Sequence, residues 1–543
     1  MRTALPTLVL KPKGWQGKSI TLRDEPVTIG RHPDNTVRLK DDRASRYHAA
    51  IKPDGHGRHA IADLGSANGT KVNGEKLLAE AFLEPGDVIR IGGHEWTIVA
   101  EDTPAEGTTR SASKDAVGES RWVKDIKEVL LELPPKGQGE IAIGVIDAAG
   151  QDSSALEGDA DGQRALRLLL QVAFKARATD IHMEPKREEF NVRMRVDGQM
   201  VPVVEMPPQV GTLAQGIIKT ACQMKTAGRD AVLDGHFSAK LPDRRVEFRC
   251  SFTPSVFGQK LVVRVLDQVG VPHSLDELGL PPYMHKRVRV VCEQDHGLLL
   301  VCGPTGSGKT TTLYNALREI DRDARNVVTI EDPVEYQIQG VTQIPIDERK
   351  GNSFGSMLRS VLRQDPDVIL VGEIRDDETA RTAMQAAMTG HVVFSTVHAK
   401  DSIAAVFRLL DLKVEPYLVA NSLDLVLAQR LVRTLCDACK RKVSVSPGDA
   451  TRLGRFLGGK NTMYTATGCP KCLRTGYRGR QAIFELLDVN DELRDVILRD
   501  PSIQAMKKVI EAGMFTTLAQ SGWRLVGEGA TTLDEVDRVA GQG

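Results

Sequence analysis

The sequence predicts a multidomain protein with an N-terminal all-β sandwich, an α/β middle domain and an α/β nucleotide-binding domain that carries a small cysteine-rich insertion. Three observations predict this arrangement. Short alternating apolar runs, separated by Gly, Asp and Asn, fill residues 5–100, as in β-sandwiches. The stretch GPTGSGKT follows an apolar run and has the spacing of a phosphate-binding loop. Two Cys-x-x-Cys pairs lie between residues 436 and 472.

Length and composition limit the class of protein. At 543 residues the chain is too long for one hydrophobic core, so several domains are expected. Its 72 basic and 72 acidic residues give a formal net charge of zero, which argues against direct binding of nucleic acid. No apolar run approaches the roughly 18 residues of a membrane span, and the N-terminus has no signal-peptide pattern. We therefore expect a cytoplasmic protein whose cysteines are reduced.

Three marks lie on the predicted loops of the sandwich. They are GR at residues 30–31, SRYH at residues 45–48 and NGT at residues 68–70. In this order and spacing they resemble the forkhead-associated (FHA) domain, whose loops hold a phosphothreonine peptide at one end of the sandwich. The resemblance predicts an FHA-like domain over residues 5–100 that binds a phosphothreonine-containing protein.

The resemblance also implies roles for individual residues of these loops. Arg31 and Ser45 are expected to contact the phosphate, Arg46 to make a neighbouring contact and Asn68 to hold the peptide backbone, while His48 braces the loop from within. A guanidinium and a hydroxyl suit a phosphate dianion. Ala67 stands where some members carry a hydroxyl residue. A sandwich that has kept the fold but lost phosphate binding is the alternative.

Residues 101–162 are predicted to be a linker with one short amphipathic helix over 122–133, because the first part has no apolar periodicity and is rich in Thr, Ser, Gly and charge. Residues 163–270 are predicted to be an α/β middle domain. It begins with an amphipathic helix, and a second, long helix is expected near 211–227. Strands are predicted at 191–198 and in the runs RRVEFRCSF and QKLVVRVL.

Motifs of this middle range carry a second resemblance. ATDIHMEP, RMRVDG and GQKLVVR, at residues 178–185, 193–198 and 258–264, look like the secretion ATPase superfamily of type II secretion and type IV pilus assembly. The likeness extends from about residue 163 to the C-terminus. It implies that residues 275–543 form a RecA-like P-loop ATPase domain. Arg249 and Arg264 match arginines that swing onto the γ-phosphate of ATP in that family; surface salt bridges are the alternative role.

The phosphate-binding loop lies between a predicted buried strand at residues 298–302 and a predicted helix that opens at Lys309. Its glycines let backbone N–H groups turn toward a phosphate, and the helix N-terminus adds partial positive charge. Lys309 is expected to reach the β- and γ-phosphates of ATP, and Thr310 to ligate Mg²⁺. The predicted nucleotide-binding residues are Gly303, Pro304, Thr305, Gly306, Ser307, Gly308, Lys309, Thr310 and Thr311.

Three more polar clusters, at residues 331–335, 372–376 and 396–399, each follow an apolar run. They match the Asp, Walker B and His boxes of the superfamily. Since open α/β sheets bind ligands at the carboxyl ends of their strands, these clusters are expected around the phosphate loop. Glu335 or Glu331 is expected to polarise the attacking water, and which of them does so is left open. Glu373 is expected to act on Mg²⁺, directly or through water, and His398 to sense the γ-phosphate.

The two Cys-x-x-Cys pairs are separated by 29 residues. Four thiolates suit a tetrahedral Zn²⁺ site, which predicts a structural zinc in an insertion over residues 436–472. Redox chemistry of the pairs is the alternative. In the superfamily, assembly and export motors usually have this feature and pilus retraction motors usually lack it. The predicted ligands are Cys436, Cys439, Cys469 and Cys472.

Together the resemblances imply a cytoplasmic ATP hydrolase that works as a homo-hexamer and is attached to the inner membrane through a platform protein. Its output is secretion through the type II system or assembly of a type IV pilus from pseudopilins or pilins. Regulation through phosphothreonine is expected from the fusion with the FHA domain. Two alternatives stay open: a motor for DNA uptake or transfer, and a phospho-dependent scaffold with residual ATPase activity.

Overall fold

The computed structural model describes residues 7–13, 19–22, 26–39, 41–53, 59–77, 79–101, 120–135, 141–225, 231–347, 350–499, 501–513 and 515–541. The chain divides into two compact units, Met1–Val117 and Gly118–Gly543. Residues 102–119, the first part of the predicted linker, lie outside the described residues. No helix of the described ranges is both long enough and apolar enough to cross a membrane.

The first unit is a β-sandwich, as predicted. A six-stranded sheet of order β2-β1-β11-β10-β7-β8 faces a five-stranded sheet of order β4-β3-β5-β6-β9. Alternate residues of the strands point into the shared core, where Leu10, Ile29 and Trp96 are fully buried. The strands are β1 Thr7–Lys13, β2 Ile20–Thr21, β3 Val27–Gly30, β4 Val37–Arg38, β5 Ala49–Pro53, β6 His59–Asp63, β7 Lys71–Val72, β8 Glu75–Lys76, β9 Ala81–Phe82, β10 Val88–Ile91 and β11 His94–Glu101.

The second unit begins with an antiparallel sheet of order β13-β12-β17-β18-β19-β14-β15-β16, covered on one side by helices. The short helix predicted over 122–133 is present as α1, and its Trp122 and Ile126 are buried in the same core. These elements are α1 Arg121–Glu132, β12 Gly144–Ile146, β13 Asp152–Ser153, α2 Asp161–Ala176, β14 Ala178–Pro185, β15 Phe190–Val196, β16 Gln199–Met206, α3 Pro208–Ala221, β17 Leu233–Lys240, β18 Arg245–Ser255 and β19 Gly258–Leu266.

Helix α3 differs from the helix predicted near 211–227. Pro208 stands in its first turn, where a proline lacks no needed hydrogen bond, so the helix begins earlier than the apolar pattern indicates. It ends at Ala221 because Gln223 takes a left-handed backbone conformation with φ of 53°. The sheet also reaches back to β12, so part of the predicted linker belongs to the middle-domain core.

The remainder of the second unit is an open α/β structure. Its seven-stranded sheet has the order β22-β21-β23-β24-β20-β25-β28, parallel except for β28. The elements are α4 Pro282–Glu293, β20 Gly297–Cys302, α5 Lys309–Arg318, β21 Val327–Glu331, β22 Thr342–Pro345, α6 Phe354–Val361, β23 Val368–Val371, α7 Asp377–Met388, β24 Val392–Val397, α8 Ser402–Asp411, α9 Pro416–Ser422, β25 Leu423–Leu435, β26 Arg441–Ser444, α10 Pro447–Leu453, β27 Thr462–Thr465, β28 Tyr477–Asp488, α11 Asp491–Arg499, α12 Ile503–Glu511, α13 Leu518–Glu528 and α14 Leu533–Ala540.

Helices cover both faces of this sheet. Leu299 contributes to a core with α4 and α5, and Leu300 contributes to a core with α6 to α9 and the C-terminal helices. Strands β20, β21, β23 and β24 are buried at every residue, which is why the sequence shows them as continuous apolar runs without alternation. These four strands are neighbours, so the loops after them meet at one edge of the sheet.

Candidate functional site

The phosphate loop joins β20 to α5 at this edge. Gly306 and Gly308 have left-handed φ values of 76° and 87°, and a Cβ on Gly308 would lie 2.8 Å from Gln429 Nε2. Lys309 Nζ donates to the carbonyl oxygens of Gly303 at 3.0 Å and Pro304 at 3.1 Å, so the ammonium group lies across the loop. Burial lowers its pKa, whereas the Glu373 carboxylate favours the charged form. The first N–H groups of α5 have no partner within the helix, so the loop fits a phosphate group.

Gln429, which the sequence analysis missed, supports this loop from β25. Its amide oxygen accepts from Thr312 Oγ1 at 2.7 Å and its Nε2 donates to Ser307 O at 2.8 Å. The next residue, Arg430, donates to the carbonyl oxygens of Gln429, at 2.9 Å, and Lys400. The available signal was a polar pair that interrupts the apolar run of a buried strand, since buried polar side chains need partners.

Glu331 ends β21 and is almost fully buried, with 4% of its surface exposed. The Tyr314 hydroxyl donates to one of its carboxylate oxygens and the Thr329 hydroxyl to the other. Gln343 Nε2 also donates to it, at 3.2 Å. Desolvation, together with the hydrogen bond to Glu331, raises the pKa of the Tyr314 phenol. The contacts of Glu331 are therefore directed into the domain.

Glu335 lies on the loop that follows, and its side chain is 36% exposed. Arg249 of the middle domain approaches this loop. It donates to Val334 O at 2.9 Å, and its Nη1 lies 3.7 Å from Glu335 Oε2. The structure thus brings one of the two predicted arginines to one of the two candidate carboxylates.

Arg264 is the cross-strand partner of Arg249 on β19. Its Nε lies 3.4 Å from Asp180 Oδ1, and Arg195 Nε lies 3.5 Å from the other oxygen of the same carboxylate. Asp180, Arg249 and Arg264 line a cavity of about 580 Å³ on this face of the middle-domain sheet. Both arginines are held by acidic partners at an open face, rather than buried in the core.

Glu373 and His398 follow β23 and β24, which are neighbouring strands. The Arg375 guanidinium donates to Glu373 Oε1, and His398 Nε2 lies 3.6 Å from Glu373 Oε2. His398 is half-exposed and Glu373 mostly buried. The predicted Walker B acid and the predicted sensor histidine therefore form a pair beside Lys309.

Phosphoryl transfer from a nucleotide to water needs a phosphate cradle, a cation on the phosphates and carboxylates close by. The edge formed by β21, β23, β24 and β20 supplies all three, on the parallel sheet that such enzymes use. The chain is an ATP hydrolase of the P-loop class.

Comparison with known proteins narrows this class. The family model described as Type II/IV secretion system protein matches residues 155–538, and the model of the FHA domain matches residues 27–92. The chain belongs to the Type II/IV secretion system protein family and carries an FHA domain in front.

Relatives agree with this membership, and a solved structure shares the fold. Type II secretion system ATPase E of Vibrio cholerae is 41% identical over 394 residues, which are 72% of this chain and 77% of that protein. Type IV pilus assembly ATPase PilB of Myxococcus xanthus is 39% identical over 388 residues, covering 70% and 68%. The solved structure of the Legionella pneumophila ATPase DotB is similar in fold, with a TM-score of 0.53 at 19% identity, and covers 69% of this chain and 94% of that one.

The four cysteines of the two Cys-x-x-Cys pairs come together. Their sulfur atoms all lie within 4.8 Å of one another, with separations of 4.0 Å for Cys436–Cys469, 3.9 Å for Cys439–Cys472 and 3.8 Å for Cys469–Cys472. Sulfurs held tetrahedrally at about 2.3 Å from a zinc ion lie about 3.8 Å apart. The cluster fits a zinc ion and contains no disulfide.

The predicted phosphopeptide residues meet at one end of the sandwich. Arg31 N donates to Ser45 O at 2.9 Å, and Ser45 Oγ accepts from Ala67 N at 3.0 Å. Asn68 Nδ2 donates to Arg43 O at 2.8 Å. His48 is fully buried, and its Nδ1 accepts from Ser45 N at 3.0 Å, so it braces the loop from within. The Arg46 side chain is exposed beside them.

Proposed function

We propose that this chain is a cytoplasmic motor ATPase that powers type II secretion or type IV pilus assembly, as a homo-hexamer bound to an inner-membrane platform protein. The relatives named above support the biological role. The observation that carries the motor role is the contact between domains. Arg249 of the middle domain binds the loop that holds Glu335, so the nucleotide site and the position of the middle domain are linked.

ATP binding begins with Lys309. Its ammonium group leaves the carbonyl oxygens of Gly303 and Pro304 for the β- and γ-phosphates, while the N-terminus of α5 receives the phosphate charge. Thr310 and Glu373 would hold Mg²⁺, which neutralises phosphate charge when bound. His398, whose Nε2 lies 3.6 Å from Glu373, would sense the γ-phosphate.

Glu335 is the carboxylate that we assign to the attacking water. The oxygens of Glu331 already accept from Tyr314, Thr329 and Gln343, which leaves that group little capacity for a water molecule. The Glu335 side chain is about one-third exposed, and its ion pair with Arg249 is long, at 3.7 Å. Transfer of Arg249 to the γ-phosphate releases Glu335 for the water and draws the middle domain toward the motor.

Arg264 likewise moves from its carboxylate partner, Asp180, to the γ-phosphate. Hydrolysis removes that anion, so both arginines return to their carboxylate partners and the middle domain relaxes. This rigid-body movement is the mechanical output of the cycle. The four-cysteine cluster would hold a structural Zn²⁺ that fixes the insertion, because four thiolates leave no open position for a substrate. The FHA domain adds recognition of a phosphothreonine-containing partner.

ATP turnover by purified Lys309→Ala tests the proposal. Removing the cation from the phosphates is expected to lower kcat on the order of 100-fold. Light scattering on the same samples measures the fraction of hexamer, and wild-type activity is expected to rise with that fraction. Lys507→Ala, on the exposed face of α12, is the matched control and should keep full activity. Equal turnover by Lys309→Ala and wild type, or none by wild type even with the cytoplasmic domain of the platform protein, would contradict the proposal.

A further inference from the structure

One buried carboxylate, that of Glu485 on β28, receives hydrogen bonds from the first residues of two helices. Only 5% of its surface is exposed. Ser402 donates to Oε1 through its backbone N–H at 2.9 Å and through its hydroxyl at 2.5 Å. Leu518 N donates to Oε2 at 3.2 Å. Ser402 opens α8 and Leu518 opens α13, so two helix N-termini converge on one group.

The first of these helices, α8, directly follows the loop that contains His398. Ser402 stands four residues after His398, and the loop between them ends in Asp401, which caps α8 by accepting from Ala404 N at 2.7 Å. Cys302, the residue before the phosphate loop, directs its sulfur to Asp401 O at 3.4 Å. Glu485 therefore fixes the far end of the loop that positions His398.

The second helix, α13, packs against the cysteine insertion. Val526 of α13 packs with Leu453 and Leu457 of the insertion. Lys460 of the insertion donates to Gly527 O at 2.8 Å. A shift of the insertion against the motor therefore acts on α13, and the N-terminus of α13 is attached to Glu485.

The hydrogen bonds at Glu485 depend on one another. A carboxylate out of contact with water is stable as an anion only while donors and helix dipoles compensate its charge. Burial raises the pKa of the Glu485 carboxyl, and the Ser402 hydrogen bonds oppose that shift. Withdrawal of one helix leaves the charge poorly compensated, so the remaining contacts to the other helix must rearrange.

We propose that Glu485 is a positioning residue for ATP hydrolysis, which holds the His398 loop in place and couples it to the cysteine insertion through α13. The inference rests on the proposed function, because it needs His398 at the γ-phosphate. A partner that binds the insertion would then change the rate of hydrolysis through α13 and Glu485, without touching the nucleotide.

Glu485→Gln is the direct test in the full-length protein. The glutamine oxygen can still accept from Ser402, but its NH₂ group faces the Leu518 N–H and cannot accept from it. We expect kcat to fall about tenfold because the sensor loop is misplaced, with the KM for ATP changed less than about twofold, since the phosphate loop is intact. His398→Ala should lower kcat by itself, and the double variant should be no slower than His398→Ala alone.

Hydrogen exchange separates positioning from general destabilisation. Glu485→Gln should raise exchange in peptides spanning the starts of both α8 and α13. Thr517→Ala removes the side-chain cap of α13, which Thr517 makes by accepting from Gln520 N at 3.2 Å, and should raise exchange mainly in α13. It should lower kcat less than Glu485→Gln does, because the hydrogen bonds of Glu485 remain. Ser402→Ala, which removes a single hydrogen bond, gives a milder loss of kcat and serves if Glu485→Gln does not fold.

An unchanged kcat in Glu485→Gln, or equal effects of Glu485→Gln and Thr517→Ala, would overturn the inference. So would losses in Glu485→Gln and His398→Ala that simply multiply in the double variant. These outcomes leave the proposed function standing as long as Lys309→Ala is inactive and His398→Ala is slow. The proposed function fails separately, if Lys309→Ala and wild type hydrolyse ATP alike.

Discussion

Gln429 shows how one side chain fixes the conformation of a catalytic loop. Its amide group offers an acceptor and a donor on one plane, and the structure uses both: the oxygen for Thr312 of α5 and the nitrogen for Ser307 of the loop. With 1% of its surface exposed, Gln429 has no water to replace either partner. The phosphate loop is therefore held in shape before a nucleotide arrives.

Gln429→Glu should weaken ATP binding and the domain together. The carboxylate keeps an acceptor for Thr312 but has no donor for Ser307 O, and an unpaired buried polar group destabilises a protein by about 1–3 kcal/mol. We expect the KM for ATP to rise about tenfold, because the loop must be reordered on binding. Turnover kinetics and urea unfolding measure the two effects.

The control for this variant is Gln385→Glu on the exposed face of α7, which introduces the same charge and should change neither quantity. If Gln429→Glu binds ATP as tightly as wild type, the phosphate loop does not depend on the hydrogen bonds of Gln429.

Residues of the phosphate loop could be predicted from the sequence because the motif is contiguous, from Gly303 to Thr310. The interrupted apolar run marks Gln429 as a polar residue that needs partners, but its contact with the phosphate loop could not be predicted, since Ser307 lies 122 positions away and such a contact leaves no local periodicity. The choice between Glu331 and Glu335 was open for the same reason. It depends on the direction of each side chain after its strand ends.

Strand β25 links the nucleotide site to the cysteine insertion. Gln429 and Arg430 lie in its middle, and the strand runs on to Leu435, next to the first cysteine of the insertion. Helix α14 is attached to this strand through Glu535, which is 1% exposed. Glu535 accepts from Arg433 N at 3.0 Å, from Arg433 Nη2 at 2.6 Å and from Arg538 Nε at 2.8 Å.

Glu535 should make the stability of the fold depend on pH in the acid range. Desolvation opposes its ionisation, but the hydrogen bonds from Arg538 and Arg433 outweigh it and lower the pKa from 4.5 to about 2. A carboxyl whose pKa is lower in the folded than in the unfolded state stabilises the fold above its unfolded pKa. That stability is lost as the pH falls from the unfolded toward the folded value, and it amounts to roughly 3 kcal/mol.

Glu535→Gln should therefore lower the free energy of unfolding by roughly this amount at neutral pH, and the difference from wild type should shrink below about pH 4. Denaturant unfolding at several pH values measures it. Glu528→Gln, which removes an exposed partner of Arg524, should have an effect near zero at every pH. A difference that does not change with pH would mean that packing, rather than charge, holds α14.

At the level of elements, helices with a clear apolar stripe were predicted to within a few residues, as α1 and the start of α2 show. The end of α3 was misjudged because the left-handed conformation at Gln223 gives no signal in the apolar pattern. Strands β12 and β13 were missed, since two or three residues are too short for a recognisable alternation.

The N-terminal sandwich and the P-loop ATPase domain could be predicted because each has its own local signature. The order of the strands in the seven-stranded sheet could not be predicted. Strand β20 pairs with β24 and β25, about a hundred residues further along the chain, and no local pattern encodes such pairs. The proposed phosphopeptide site lies in the first compact unit, whereas every residue to which we assign a role in ATP chemistry lies in the second. Binding and hydrolysis can therefore be altered one at a time.

Arg31→Ala should weaken phosphothreonine recognition without changing basal ATP turnover. The Arg31 side chain is half-exposed beside Ser45, and its ion pair with Asp42 at 3.1 Å is at the surface, so the guanidinium is available to a phosphate. A hydrogen bond to a charged group contributes about 1.5–3 kcal/mol, which predicts at least a tenfold loss of affinity for a phosphothreonine peptide library. Calorimetry with the phosphorylated and unphosphorylated libraries measures it, and Lys71→Ala, on the exposed strand β7, is the charge-matched control. Equal affinity of Arg31→Ala and wild type would mean that the sandwich has kept its fold without this binding activity. A loss of binding with unchanged basal turnover would show that the FHA domain recognises phosphothreonine independently of ATP hydrolysis.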